Sequence, residues 1–66
     1  MYKIVDYFNG REEEQKYETE EQAAKALKRE RKAFYDNGIN RNCTFCKTIV
    51  PAHYSYMWDG FNWVWK

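Results

Sequence analysis

Sixty-six residues, 20% of them aromatic and 32% charged, with a formal net charge of +1, make one domain (1–66) near the lower limit of independent folding. The mixed segment after Met1 contains no apolar run of signal-peptide or membrane-span length, so a cytoplasmic chain without a membrane partner is expected. Two cysteines are too few for a disulfide scaffold, and in that compartment they are expected to stay reduced.

Residues 2–8 (YKIVDYF) read as a strand, and Asn9-Gly10 is a two-residue type I′ turn signal leading into REEEQKY. A strict two-residue register sets Asp6 opposite Glu13 and Lys3 opposite Lys16. Such like-charge pairs cost stability, so a bulged register or a loop beyond Arg11 is the alternative. Thr19 followed by Gln22 forms a capping box, Glu20 and Glu21 suit the positive helix end, and Asn37-Gly38 supplies a left-handed stop. The spacing predicts a helix over 20–37. At 100° per residue Ala23, Ala26, Leu27, Ala33 and Phe34 share one side, flanked by Ala24 and Tyr35.

Segment 38–48 (GINRNCTFCKT) is the one long connection, and Pro51 marks a strand start or edge. Asp59-Gly60 is a second type I′ signal, setting Trp58 opposite Phe61, Tyr56 opposite Trp63 and Tyr54 opposite Trp65. These six rings share one face, with His53, Ser55, Met57, Asn62, Val64 and Lys66 on the other. The alanine-lined helix is expected to cover Tyr56, Trp58, Phe61 and Trp63, leaving those rings largely buried. The expected class is α+β: a small ββαββ domain with one helix packed on an antiparallel sheet and an aromatic C-terminal hairpin.

Few residues have the spacing of a chemical site. Cys43 and Cys46 form a C-x-x-C pair, half of a zinc site, with His53 as third candidate ligand. A structural zinc site needs four ligands, so no functional metal and no cofactor are expected, and a small zinc-binding domain is the second alternative. A thioredoxin-like redox role requires the pair at a helix N-terminus after a strand, whereas here a strand follows it. Glu30 falls near the centre of the helix's apolar stripe, where an unpaired carboxylate is costly. Pairing with a Tyr hydroxyl, a Trp N–H or a basic side chain is expected, with a titrating functional acid as the sharper reading. One acid, a single histidine and no triad give no basis for an enzyme.

Charge is unevenly distributed: residues 1–24 hold seven acids and three bases, residues 25–66 eight bases and three acids. Lys25, Lys28, Arg29 and Lys32 form a stripe opposite the helix's apolar side, with Arg31 at its margin and Glu21 to Lys25 the one well-oriented ion pair. A stripe of one sign can bind phosphates or an acidic protein surface. Core packing is expected for most of the rings, with Tyr54 and Trp65 left at the sheet rim as anchors for a partner. In size, aromatic content and charge segregation the chain looks like the small accessory proteins of phages and other mobile elements. That resemblance implies a non-catalytic module that binds, and inhibits or modulates, one host protein; separately, the charged helix stripe and the rim rings make Lys25, Lys28, Arg29, Lys32, Tyr54 and Trp65 the candidate contacts. A nucleic-acid binder using the basic helix stripe is the alternative.

Overall fold

The computed structural model describes every residue except Arg41. Its elements run β1 (Tyr2–Asp6), β2 (Arg11–Tyr17), α1 (Glu20–Asp36), β3 (Lys47–Pro51), β4 (Tyr56–Trp58) and β5 (Trp63–Trp65). One helix packs on a three-stranded antiparallel sheet, and the last two strands form a separate hairpin, so the α+β class holds with one strand more than ββαββ. Strand order is β2-β1-β3, which makes β1 central and places Pro51 at the end of an edge strand.

The first hairpin takes the bulged alternative. Tyr2 pairs with Tyr17 and Lys3 with Lys16, but Val5 pairs with Glu12 and Asp6 with Arg11, so two steps on β1 match four on β2. The slip replaces the Asp6–Glu13 repulsion with an attractive Asp6–Arg11 pair. It also lengthens the loop to Tyr7–Gly10. Asp6 caps that loop, its Oδ1 accepting the Phe8 and Asn9 N–H groups at 2.9 Å each, while Gly10 supplies φ 70°. Asp59 closes the C-terminal hairpin in the same way, accepting from Phe61 N at 2.8 Å and Asn62 N at 2.7 Å, with Gly60 at φ 107°. The expected two-residue turns are therefore four-residue loops. Each arises because a carboxylate that satisfies two backbone donors outweighs the tighter turn. The C-terminal pairs become Trp58–Trp63, Met57–Val64 and Tyr56–Trp65, a slip of two residues that keeps the rings on one face but sends Phe61 into the loop.

The helix begins as its capping box dictates: Gln22 N donates to Thr19 Oγ1 at 3.2 Å, and Gln22 Oε1 accepts from Glu18 N. It ends before Gly38, at φ 70°. Ala23 is buried, and Ala26, Leu27, Glu30 and Phe34 are half-buried, whereas Ala33 is exposed and drops out of the expected stripe.

Two independent contacts show which layer covers which face. Lys47 lies opposite Asp6 in the β1–β3 register and donates to Glu30 of the helix, so Tyr2, Ile4 and Asp6 of β1 face the helix. Lys3 lies on the alternate face, donates to the Tyr54 carbonyl at 2.6 Å and sits 5.1 Å from the Trp65 ring centre. Lys3 and Val5 therefore face the aromatic hairpin. Ile4 and Val5, adjacent on the central strand, are both fully buried, one under each layer.

This arrangement corrects the expectation that the helix covers the hairpin. The helix stripe is occupied by the sheet, whose face also carries Ile49 and Tyr17, and a single helix cannot cover a second surface. Trp58 and Trp63 are each 55% exposed and Phe61 85%. The hairpin docks by its inner end alone, through Tyr54, Tyr56 and Trp65.

Gly10 is the contact point for Tyr56, whose Cε2 and Cδ2 would overlap a Cβ built there. Gly38 has the same φ with open space around it. Gly38→Ala should cost about 1–2 kcal/mol from backbone strain, and Gly10→Ala about 2–5 kcal/mol because overpacking against Tyr56 adds to that strain. Urea unfolding of both variants measures the difference; equal losses would mean that the hairpin does not rest on Gly10.

Candidate functional site

The hairpin rings form a ladder from the sheet outward. Trp65 meets Tyr56 at 5.3 Å between ring centres, Tyr56 stacks on Trp63 at 5.6 Å with 16° between planes, and Trp63 meets Trp58 edge-on at 5.8 Å. The inner half is anchored: Lys3 is only 3% exposed and donates to Glu12 Oε2, which brings β2, the hairpin and the cation together. That pairing holds the Glu12 carboxyl below its ordinary value. The outer half, Trp58, Trp63 and Phe61, with Met57 on the reverse face, projects into solvent. Tyr54 and Trp65, the rings expected at the rim, are half-buried on the docked end. Sequence reasoning assigned the tip to the core because it assigned the helix to the tip.

Lys25, Lys28, Arg29 and Lys32 are exposed along the helix, as helical spacing places them. The ion pair described on this surface joins Lys32 to Asp36 at 3.1 Å rather than Glu21 to Lys25. Since the stripe lies on the outer side of the helix, and the hairpin lies beyond the sheet, the sheet separates the lysines from the exposed rings. Basic groups and stacking platforms that share a groove define single-strand nucleic-acid sites, and these two surfaces do not share one.

Glu30 has found the basic partner expected of it. Lys47 Nζ donates to Glu30 Oε1 and to Glu13 Oε2, both at 2.8 Å, linking helix, β2 and β3. Two carboxylates share one ammonium. Burial, and then the Glu13 carboxyl beside it, push Glu30 up from its ordinary value. Burial also raises Glu13, but its hydrogen bonds with Glu30 and Lys47 outweigh that and leave it lowered. Both carboxylates raise Lys47.

A cavity of about 850 Å³ opens beside this triad, between the C-terminal half of α1, the connection to β3 and the β1–β2 loop. Phe8, Phe34, Phe45, Asp6, Glu30 and Lys47 are among its lining. Cys43 and Cys46 also reach it, Cys43 exposed and Cys46 half-buried with its thiol donating to the Thr44 carbonyl at 3.2 Å. His53 stands apart beside Tyr54, and no cluster of three metal-ligating side chains forms among the described residues. The cavity escaped sequence reasoning because its walls come from three distant segments; the one available signal was Glu30's place in an apolar stripe.

No protein-family model, curated protein or solved structure matches this chain. No helix among the described residues is long and apolar enough to cross a membrane.

The triad makes stability depend on pH in a defined direction. With its folded value raised, Glu30 contributes stability that is complete below its ordinary value of 4.5 and is lost as pH rises through the folded value. Glu30→Gln should therefore gain stability relative to the native chain as pH rises above 4.5, then level off. Lys47→Met leaves two carboxylates facing each other and should cost about 1–3 kcal/mol. Urea denaturation across a pH series checks both; a pH-independent difference for Glu30→Gln contradicts the shared-ammonium arrangement.

Proposed function

We propose that this chain is a non-catalytic protein-binding module that grips its partner with the aromatic hairpin tip. The observation that carries the reading is the exposure of Trp58, Phe61 and Trp63 at the free end of a hairpin whose other end is anchored. Rigid Trp and aromatic anchors dominate binding energy at protein interfaces, and clustered exposed rings are uncommon on a monomer that binds nothing.

Surface area supports the same conclusion. A folded monomer of 8.1 kDa is expected to expose about 4,500 Å². This chain exposes 5282 Å². The excess of roughly 800 Å² reflects an open shape in which the hairpin's outer rings are left uncovered. Function as an inhibitor or modulator of a host protein, in the manner of phage accessory proteins, fits a small module that exposes a cluster of aromatic rings. The helix stripe then acts as a peripheral charge that affects encounter rate more than affinity.

Trp58→Ser combined with Phe61→Ser removes two of the three outer rings without touching Tyr56, Trp65 or Lys3. Unfolding free energy should stay within about 1 kcal/mol of the native value, since exposed positions contribute little. Affinity for a protein captured by the native chain should fall by at least about 100-fold, the loss of two hot-spot anchors. The Lys25, Lys28 and Lys32→Gln triple variant should keep that partner. Steeply salt-dependent oligonucleotide binding that this triple variant abolishes would instead establish the nucleic-acid reading.

A further inference from the structure

The cavity beside the carboxylate triad has a wall chemistry that the hairpin reading leaves unused. Phe34 and Phe45 meet edge to face at 5.5 Å, and Phe8 lines the β1–β2 side. Lys47 bonds Glu13 and Glu30, and Asp6 is its neighbour across the β1–β3 register. Two carboxylates thus share one ammonium, while Asp6, opposite Arg11 in the β1–β2 register, adds a third carboxylate at the cavity wall. Asp6 is fixed by the Phe8 and Asn9 N–H groups and acts as a stationary charge, held below its ordinary value by those bonds although burial opposes the shift. Glu30 lies within reach of the cavity itself.

Ring faces and carboxylates attract the same kind of ligand. A cation over an aromatic face is drawn by the ring quadrupole, and surplus negative charge in a partly desolvated recess is screened less than on open surface. An anion meets repulsion from the same groups, and an apolar ligand would desolvate carboxylates without pairing them. The volume accommodates a group of side-chain size.

We propose that this cavity binds an organic cation, the ammonium or guanidinium head of an amine or of a basic side chain, against Phe34 and Phe45 with Glu30 and Asp6 as counter-charges. The site lies on the helix side of the sheet and stands independently of what the hairpin tip binds.

The test uses the whole isotope-labelled chain at fixed ionic strength, followed by amide chemical shifts. One pair of probes is choline and its neutral carbon isostere 3,3-dimethylbutanol; the other is N-acetyl-arginine amide and the corresponding citrulline derivative. The cations should give saturable shifts at Phe34, Phe45 and Lys47, with each neutral isostere at least about tenfold weaker. Saturation by one cation class alone still supports the proposal and narrows its ligand. Glu30→Gln should weaken the cations about threefold or more and leave the isosteres unchanged. Equal binding of cation and isostere, no saturable shift from either cation, or indifference to Glu30→Gln in a variant that retains native shifts elsewhere would each overturn it.

Discussion

The ammonium group of Lys3 sits in the middle of the central strand's hairpin-facing side, where an unpaired charge would be prohibitive, and the hairpin's position follows from how that charge is satisfied. Glu12 reaches it from β2, the Tyr54 carbonyl from the approach to β4, and the Trp65 ring from β5. Only an arrangement that brings the inner end of the hairpin over β1 supplies all three. Pairing of this kind is a weak source of net stability, because desolvation offsets most of the attraction, but removing the Glu12 carboxylate strands a buried charge. We read Lys3 as a device of specificity: it selects which end of the aromatic hairpin is docked and, by consequence, which end remains free.

From that constraint the molecule divides into two sides. On one, the helix lies over Ile4 and Ile49, its lysines outward and its single inward acid paired with Lys47. On the other, a ladder of rings starts at the buried Lys3 and ends at Trp58, with Phe61 beyond it in the loop. The core on the two sides of the sheet is thin, with Ile4, Val5 and Val50 of the strands and Ala23 of the helix its buried apolar residues among those described. So small a core cannot also absorb the outer rings. Their exposure is a consequence of having one helix and two apolar faces.

Much of this was legible in the amino-acid order. Thr19, Gln22 and Gly38 defined the helix ends, REEEQKY matched β2 to the residue, and strand parity placed Tyr56, Trp58, Trp63 and Trp65 on one face. Glu30's need for a partner was also readable, though Lys47 as that partner was not, being 17 residues away on an unassigned strand. Two features hid the rest. KTIVP is too short and too close to the Cys-containing connection to announce itself as a strand, yet its pairing with β1 creates the surface that takes the helix. Lys3 reads as an ordinary polar residue near a terminus; nothing local marks it as the group that docks the hairpin. The tight Asp59-Gly60 turn fails, and the bulged alternative prevails at Asn9-Gly10, for a shared reason, since Asn-Gly and Asp-Gly signal tight turns only when no aspartate carboxylate competes for the loop's N–H groups.

The hairpin packs by its inner end on the sheet face opposite the helix. Proton NOE spectroscopy tests this packing directly. The Gly10 α-protons should be shifted upfield and give cross-peaks to the Tyr56 ring, because that ring lies flush against Gly10. Cross-peaks from the Trp58 or Trp63 indoles to the Ala23, Ala26 or Leu27 methyl groups would contradict it, since they would place the helix over the rings that the structure leaves free.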